Sequence, residues 1–151
     1  MSLLRIFLAT VLVLPGLAVA QQPLLELREA WVRALPPGQP TTAAYLTLVN
    51  KGTQAVEITG ASVKGAGRVE VHTSREVDGL VRMEQLATLK VEAGEQLALA
   101  PGGTHLMLFE LERMPSPGET VQLCLALRDA QPVCTPADVR KSADEGGHHH
   151  H

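Results

Sequence analysis

The residues best suited to do chemistry are two histidines and two methionines in the spacing H-x10-M-x21-H-x-M, namely His72, Met83, His105 and Met107. Imidazoles and thioethers are neutral, soft ligands, and such a set selects Cu(I) over harder cations. The sequence contains six histidines, and the other four form the C-terminal run His148–His151. The pattern therefore uses every histidine outside that run, and it predicts a Cu(I) site on these four side chains.

Each of the four residues also has an ordinary explanation when it is taken alone. A single histidine near the end of a strand is usually a surface residue, and a single methionine in an apolar strand usually fills the core. Met107, inside the apolar segment HLMLFEL, is the residue most easily explained as packing. The metal-site hypothesis rests on the conjunction of all four residues.

Both ends of the chain are expected to lie outside the folded domain. Residues 1–20 combine a basic start, an apolar run interrupted by Pro15 and the small residues Ala18-Val19-Ala20 before Gln21. These features predict a secretory signal peptide and a periplasmic protein rather than a membrane anchor. No cysteine follows the cleavage site, so a lipoprotein is not expected. Residues 146–151 are interpreted as a linker and a histidine tag, which leaves residues 21–145 as one copper-binding domain.

The charge balance argues against two classes of partner. The chain has 13 Lys and Arg against 16 Asp and Glu, a net charge of −3. Loss of Arg5 with the signal peptide leaves 12 against 16, or −4. No basic patch or basic amphipathic helix stands out, so we expect neither nucleic-acid binding nor association with a membrane once the signal is cleaved. A monomer is expected.

The two cysteines of the chain are Cys124 and Cys134. In an exported protein, a disulfide is the default interpretation, with a redox-active or metal-binding dithiol as the alternative. The segments around them read as two strands joined near Asp129. A turn centred on that residue would place the two cysteines opposite each other.

The pattern of the whole chain predicts an all-β, antiparallel β-sandwich of eight or nine short strands. Hydrophobic periodicity is mostly two, and Gly- and Pro-containing turns recur every 8–12 residues. An Asp78-Gly79 hairpin turn would place His72 opposite Gln85 and Met83 opposite Ser74, which makes His72 and Met83 diagonal neighbours. His105 and Met107 share a face because they are two residues apart in an extended segment.

The sequence around the four residues resembles the PCu(A)C family of periplasmic copper chaperones. The similarity lies in the motif spacing and in the segments VEVH, DGLVRM and PGGTHLML, and it extends to AWVRALP, AAYLTLVN and VEAG. The resemblance implies a cupredoxin-like, Greek-key sandwich that carries Cu(I) on His72, Met83, His105 and Met107.

The same resemblance implies a function and partners. The protein would deliver copper to the CuA centre of a respiratory oxidase, with a Sco-like thioredoxin-fold protein as a further partner, and it would not be an enzyme. Two features depart from the family pattern. The C-terminal segment ADVRKSADE has no methionine or histidine for a second copper site, and the pair Cys124 and Cys134 does not belong to the family pattern.

Other functions remain as alternatives. A blue-copper protein needs a cysteine thiolate beside two histidines, and a serine hydrolase of the common type needs a G-x-S-x-G motif, which is absent. Copper buffering or resistance would use the same ligands as delivery. A structural Ig-like module would make the four ligands a coincidence.

Glu70 lies two residues before His72, so it would share its face in a strand. Glu70 could orient the imidazole by a hydrogen bond to the ring nitrogen that does not bind the metal, although a solvated glutamate is the commoner outcome. If histidines bind the metal, acidification should weaken binding, because protons compete for the ring nitrogens.

Overall fold

The computed structural model describes residues 24–146, which include nearly all of the predicted domain. The predictions of a signal peptide over residues 1–20 and of the tag His148–His151 lie outside the described residues. None of the described residues forms a helix with the length and apolar character needed to cross a membrane.

The described chain is all-β, as predicted, with ten strands rather than eight or nine. The strands are β1 Leu25–Arg33, β2 Thr42–Asn50, β3 Val56–Val63, β4 Ala66–Val77, β5 Leu80–Leu86, β6 Leu89–Val91, β7 Gln96–Leu99, β8 His105–Leu111, β9 Thr120–Leu127 and β10 Ala130–Arg140. A short 3-10 helix, Ala143–Gly146, follows.

The strands form one continuous path of neighbours in the order β5-β4-β8-β2-β1-β10-β9-β3-β6, and β7 also pairs with β2. The path curls on itself, so that strands from both halves bury a common core, as in a cupredoxin-like sandwich. The core includes Val71 of β4 and Leu106 of β8 from one half, and Ile58 of β3 and Leu125 of β9 from the other.

One pairing departs from the antiparallel expectation. The last strand, β10, runs parallel to the first, with Trp31 opposite Asp138 and Arg33 opposite Arg140. Its other edge pairs with β9 in the antiparallel sense. The sequence pattern could not reveal this, because the β1–β10 pairing joins the two ends of the domain with no turn between them.

The core is aliphatic, as the scarcity of aromatic residues predicts. None of its buried or packed members is aromatic. Trp31 and Tyr45 are buried outside this cluster and pair across β1 and β2. Trp31 and Tyr45 therefore lie outside the aliphatic core and can contact other side chains of the sheet.

Alternation within β8 and β4 divides the core from that surface. In β8, Leu106 and Leu108 are buried in the core, so His105 and Met107 point to the opposite side. In β4, Val71 packs in the core, so His72 lies on the outer side. The outer face of the β5-β4-β8 part of the sheet therefore carries the candidate site.

Candidate metal site

The β4–β5 hairpin has the register that the sequence predicts. Its two-residue turn, Asp78-Gly79, has positive φ at both positions (54° and 77°), which is the geometry of a tight hairpin turn matched to strand twist. His72 pairs with Gln85, and Ser74 pairs with Met83. His72 and Met83 are therefore diagonal neighbours on one face.

The other edge of β4 brings in the second half of the motif. His72 lies directly opposite His105 on β8, and Glu70 lies directly opposite Met107. Directly opposed side chains lie about 5 Å apart and diagonal ones about 7–8 Å. His72 is thus a neighbour of all three other predicted ligands, and all four share one face.

The four side chains differ in their exposure to solvent. The rings of His72 and His105 have centroids 6.1 Å apart. His105 is only 6% exposed, and the His72 side chain is 13% exposed. Met107 is half-buried, whereas Met83, on the edge strand β5, is 55% exposed. The imidazoles are thus covered, contrary to the usual surface location of a lone histidine, and the thioether of Met83 is open to solvent.

A backbone carbonyl orients the His105 ring. Its Nδ1 lies 2.8 Å from the carbonyl oxygen of Gly103 in the turn before β8. The same oxygen accepts a longer bond, 3.4 Å, from the backbone N–H of Ser74. The turn before β8 therefore orients the His105 ring, and a backbone hydrogen bond connects the same turn to β4.

A carboxylate orients the His72 ring. Oε2 of Glu70 lies 2.8 Å from Nε2 of His72, so the expectation of a solvated glutamate was wrong and the contact with the ring is present. Arg68, two residues earlier on the same face, is hydrogen-bonded to the same carboxylate. Hydrogen bonding to the His72 ring, supported by the charge of Arg68, lowers the pKa of Glu70 below its usual range.

Aromatic rings frame the two histidines. The centroid of Tyr45 lies 6.4 Å from that of His105, and the centroid of Phe109 lies 6.1 Å from that of His72. The Arg68 guanidinium sits 4.2 Å from the Phe109 ring. Sequence reasoning did not single out Arg68, Tyr45 or Phe109 as parts of the site. For Arg68 a signal was available, because Arg68, Glu70 and His72 are spaced two residues apart and so share one face of a strand.

The donor atoms fit a soft cation. Among the side chains that the structure describes, only Nδ1 of His72 is a buried nitrogen or oxygen without a hydrogen-bond partner. The described residues hold no cluster of three His, Cys, Asp or Glu side chains that could bind an ion. A site that contains this nitrogen therefore needs other ligands, and the thioethers of Met83 and Met107 lie on the same face.

The cysteines are bonded to each other, and they lie away from the site. Cys124 and Cys134 are directly opposed across β9 and β10 and form a disulfide, as predicted. The turn consists of residues 128 and 129 and is therefore not centred on Asp129, but a register shift between Ala130 and Val133 restores the expected pairing of the cysteines. Since both thiols are used, neither can supply the thiolate that a blue-copper centre needs.

The chain matches the family model "LpqE-like: Putative lipoprotein LpqE-like" over residues 25–139. It is 29% identical over 124 residues to "Putative lipoprotein Lxx21020" of Leifsonia xyli subsp. xyli, a match that covers 80% of this chain and 74% of the relative. These descriptions indicate an exported protein.

Two solved structures extend the comparison. The solution structure of CuI-DR1885 from Deinococcus radiodurans is 35% identical, with 74% of this chain and 75% of that chain covered and a TM-score of 0.62. The apo PCuAC domain from PmoF1 is 20% identical, with 82% and 98% covered and a TM-score of 0.67, which shows a common fold.

Proposed function

The chain belongs to the LpqE-like family and is a member of the PCu(A)C family that its motifs resemble, and on that premise we propose that it is a copper chaperone that carries Cu(I) as cargo. The ligands in this proposal are His72, Met83, His105 and Met107. The solved structure of DR1885, a relative with 35% identity, is that of its Cu(I) form, which supports the choice of metal.

The observation that carries the proposal is the central position of His72. It lies opposite His105 and diagonal to Met83 and Met107, and its buried Nδ1 has no other partner. A buried polar atom without a partner is costly, and such atoms in folded proteins call for an explanation. A bound soft cation would use this lone pair.

The composition of the ligand set suits a carrier outside the cytoplasm. Thiolates hold Cu(I) tightly, but an oxidising compartment converts them to disulfides, and the two cysteines of this chain form a disulfide. Thioethers keep the preference for soft metals without forming disulfides. Four neutral ligands would also leave the ion its positive charge, which favours its passage to another protein.

We further propose that the protein acts in the periplasm and delivers copper to the CuA centre of a respiratory oxidase, with a Sco-like protein as a second partner. The exposed thioether of Met83 supports delivery over storage, because an incoming ligand can reach that position first. A copper-buffering protein would retain Cu(I) when it is mixed with an apo CuA domain, whereas a chaperone would transfer it.

The test of binding is a Cu(I) titration of protein without the His148–His151 run, in competition with a chromophoric Cu(I) chelator. We expect one Cu(I) per chain in the unaltered protein. The Met83→Leu/Met107→Leu variant should lose more than about 100-fold in affinity, or about 3 kcal/mol.

Met114→Leu is the matched control, because Met114 is the remaining methionine of the mature domain and lies outside the motif. It should bind Cu(I) as the unaltered protein does. Equal affinity in the double variant and in this control would contradict the proposed ligand set.

A further inference from the structure

We propose that the two imidazoles hold Cu(I) through different ring nitrogens, His72 through Nδ1 and His105 through Nε2, and that Glu70 is the positioning residue that sets the first of these. The inference rests on the proposed function and specifies which atoms of that site face the ion.

The assignment at His105 follows from its backbone partner. The Gly103 carbonyl oxygen, 2.8 Å from Nδ1, can only accept a hydrogen bond. Nδ1 must therefore carry the proton, and in the neutral ring the lone pair is on Nε2. This selection cannot be changed by a side-chain substitution at Gly103, because the backbone makes it.

The assignment at His72 is the reverse and depends on a side chain. The Glu70 carboxylate, 2.8 Å from Nε2, accepts, so Nε2 carries the proton. The lone pair is then on Nδ1, the buried nitrogen that lacks a partner in the described chain. The carboxylate is itself held by Arg68, whose guanidinium packs on Phe109.

The two selections produce an asymmetric donor pair. Nδ1 is the ring nitrogen nearer to the backbone, so the ion would lie close to β4. The side chain of His72 is only 13% exposed, so the ion beside it would also be largely covered. Nε2 is the distal nitrogen, so His105 would reach toward the same point from β8. The ring centroids, 6.1 Å apart, are close enough for both rings to contact one ion at bonds of roughly 2 Å.

The test is imidazole ¹⁵N NMR on protein that lacks the His148–His151 run, so that the described histidines His72 and His105 give the ring signals of the mature domain. Long-range ¹H–¹⁵N correlations in the metal-free protein should give Nε2–H for His72 and Nδ1–H for His105. Ag(I), a redox-inert substitute for Cu(I) with a spin-½ nucleus, should then show one-bond coupling to Nδ1 of His72 and Nε2 of His105.

Glu70→Ala provides a variant test with a readout that a purely structural role would not change. Removal of the carboxylate should give His72 a mixture of tautomers and lower Ag(I) affinity by about 10–100-fold, the usual range for loss of a group that orients a ligand. His105 should keep its tautomer. Glu84→Ala is the control, because Glu84 pairs with Arg75 on the neighbouring strand and, being next to Met83 in β5, lies on the face opposite to the histidine rings.

The outcomes separate the inference from the function it rests on. Silver coupling to Nε2 of His72, or to the same ring nitrogen in both histidines, would overturn the inference while leaving the metal site intact. Failure of the folded protein to bind Ag(I) or Cu(I) would overturn the proposed function. If Glu70→Ala fails to fold, the measurements on the unaltered protein decide the matter alone.

Discussion

Asn50 and His72 both bury polar side-chain atoms, but those of Asn50 are hydrogen-bonded, whereas one ring nitrogen of His72 is not. The Asn50 amide donates to the carbonyl oxygens of Gln54 and Val91, and its Oδ1 accepts from the Gly52 N–H. His72 leaves Nδ1 without a partner. The first pattern is typical of a residue that holds a turn together, and the second is typical of a residue kept available for a ligand.

Asn50→Ala should destabilise the protein without weakening metal binding. Asn50 is 0% exposed, and its loss leaves a buried carbonyl and a turn N–H without partners. The expected loss in the free energy of unfolding is about 1–3 kcal/mol for each group left unsatisfied, measured by urea denaturation. Gln54→Ala is the control, because its side chain is exposed and its carbonyl remains. Equal stability of the two variants would contradict this role.

At the scale of strands, the candidate site spans an edge strand, its neighbour and the next strand inward. β5 ends the strand order, whereas β8 lies between β4 and β2. The two thioethers therefore have different environments: Met83 is 55% exposed on the edge, and Met107 is half-buried. We expect Met83 to be the ligand that an acceptor replaces first.

Met83→Leu and Met107→Leu form a matched pair that tests this order of exchange. If Met83 is displaced in the first step, its replacement should change the rate of Cu(I) transfer to an excess of chelator, measured by stopped flow, by about tenfold more than replacement of Met107 does. Both variants should lose affinity at equilibrium. Identical transfer rates in the two variants would place the first exchange elsewhere.

The parts of the site that could be predicted are those set by local chemistry. The Asp78-Gly79 turn and period-two alternation determine the β4–β5 register, and the i, i+2 spacing places His105 with Met107. The adjacency of β4 and β8 had no such signal, because more than 30 residues separate His72 from His105. The tautomer-setting partners Glu70 and Gly103 each lie two residues before their histidine. Period-two alternation suggested the Glu70 contact, whereas a backbone carbonyl such as that of Gly103 leaves no signal in the side-chain pattern.

At the scale of the whole molecule, the disulfide and the candidate site belong to different parts of the structure. Cys124 and Cys134 join β9 to β10, and neither strand pairs with β4, β5 or β8. Their neighbours Leu123 and Leu125 point into the core, so the disulfide lies on the outside of its layer. Stability and copper binding should therefore be separable.

Replacement of both cysteines by serine should lower the free energy of unfolding by about 2–3 kcal/mol, because the reduced unfolded chain regains the freedom of a short loop. Urea denaturation measures this loss, and chelator competition should give the same Cu(I) affinity as the unaltered protein. A folded variant that no longer binds Cu(I) would show that the disulfide supports the site. A variant of unchanged stability would contradict the chain-entropy argument.

The parallel pairing of β1 with β10 bears on how the protein is made. The first strand cannot gain its second neighbour until residues near Arg140 have been synthesised, since β10 inserts between β1 and β9. Such long-range pairing slows folding, because the chain loses conformational entropy when its ends are brought together, before the contacts between them contribute any stabilisation. A nascent domain would thus stay open through most of its translation, a state in which an exported chain can still be threaded across a membrane.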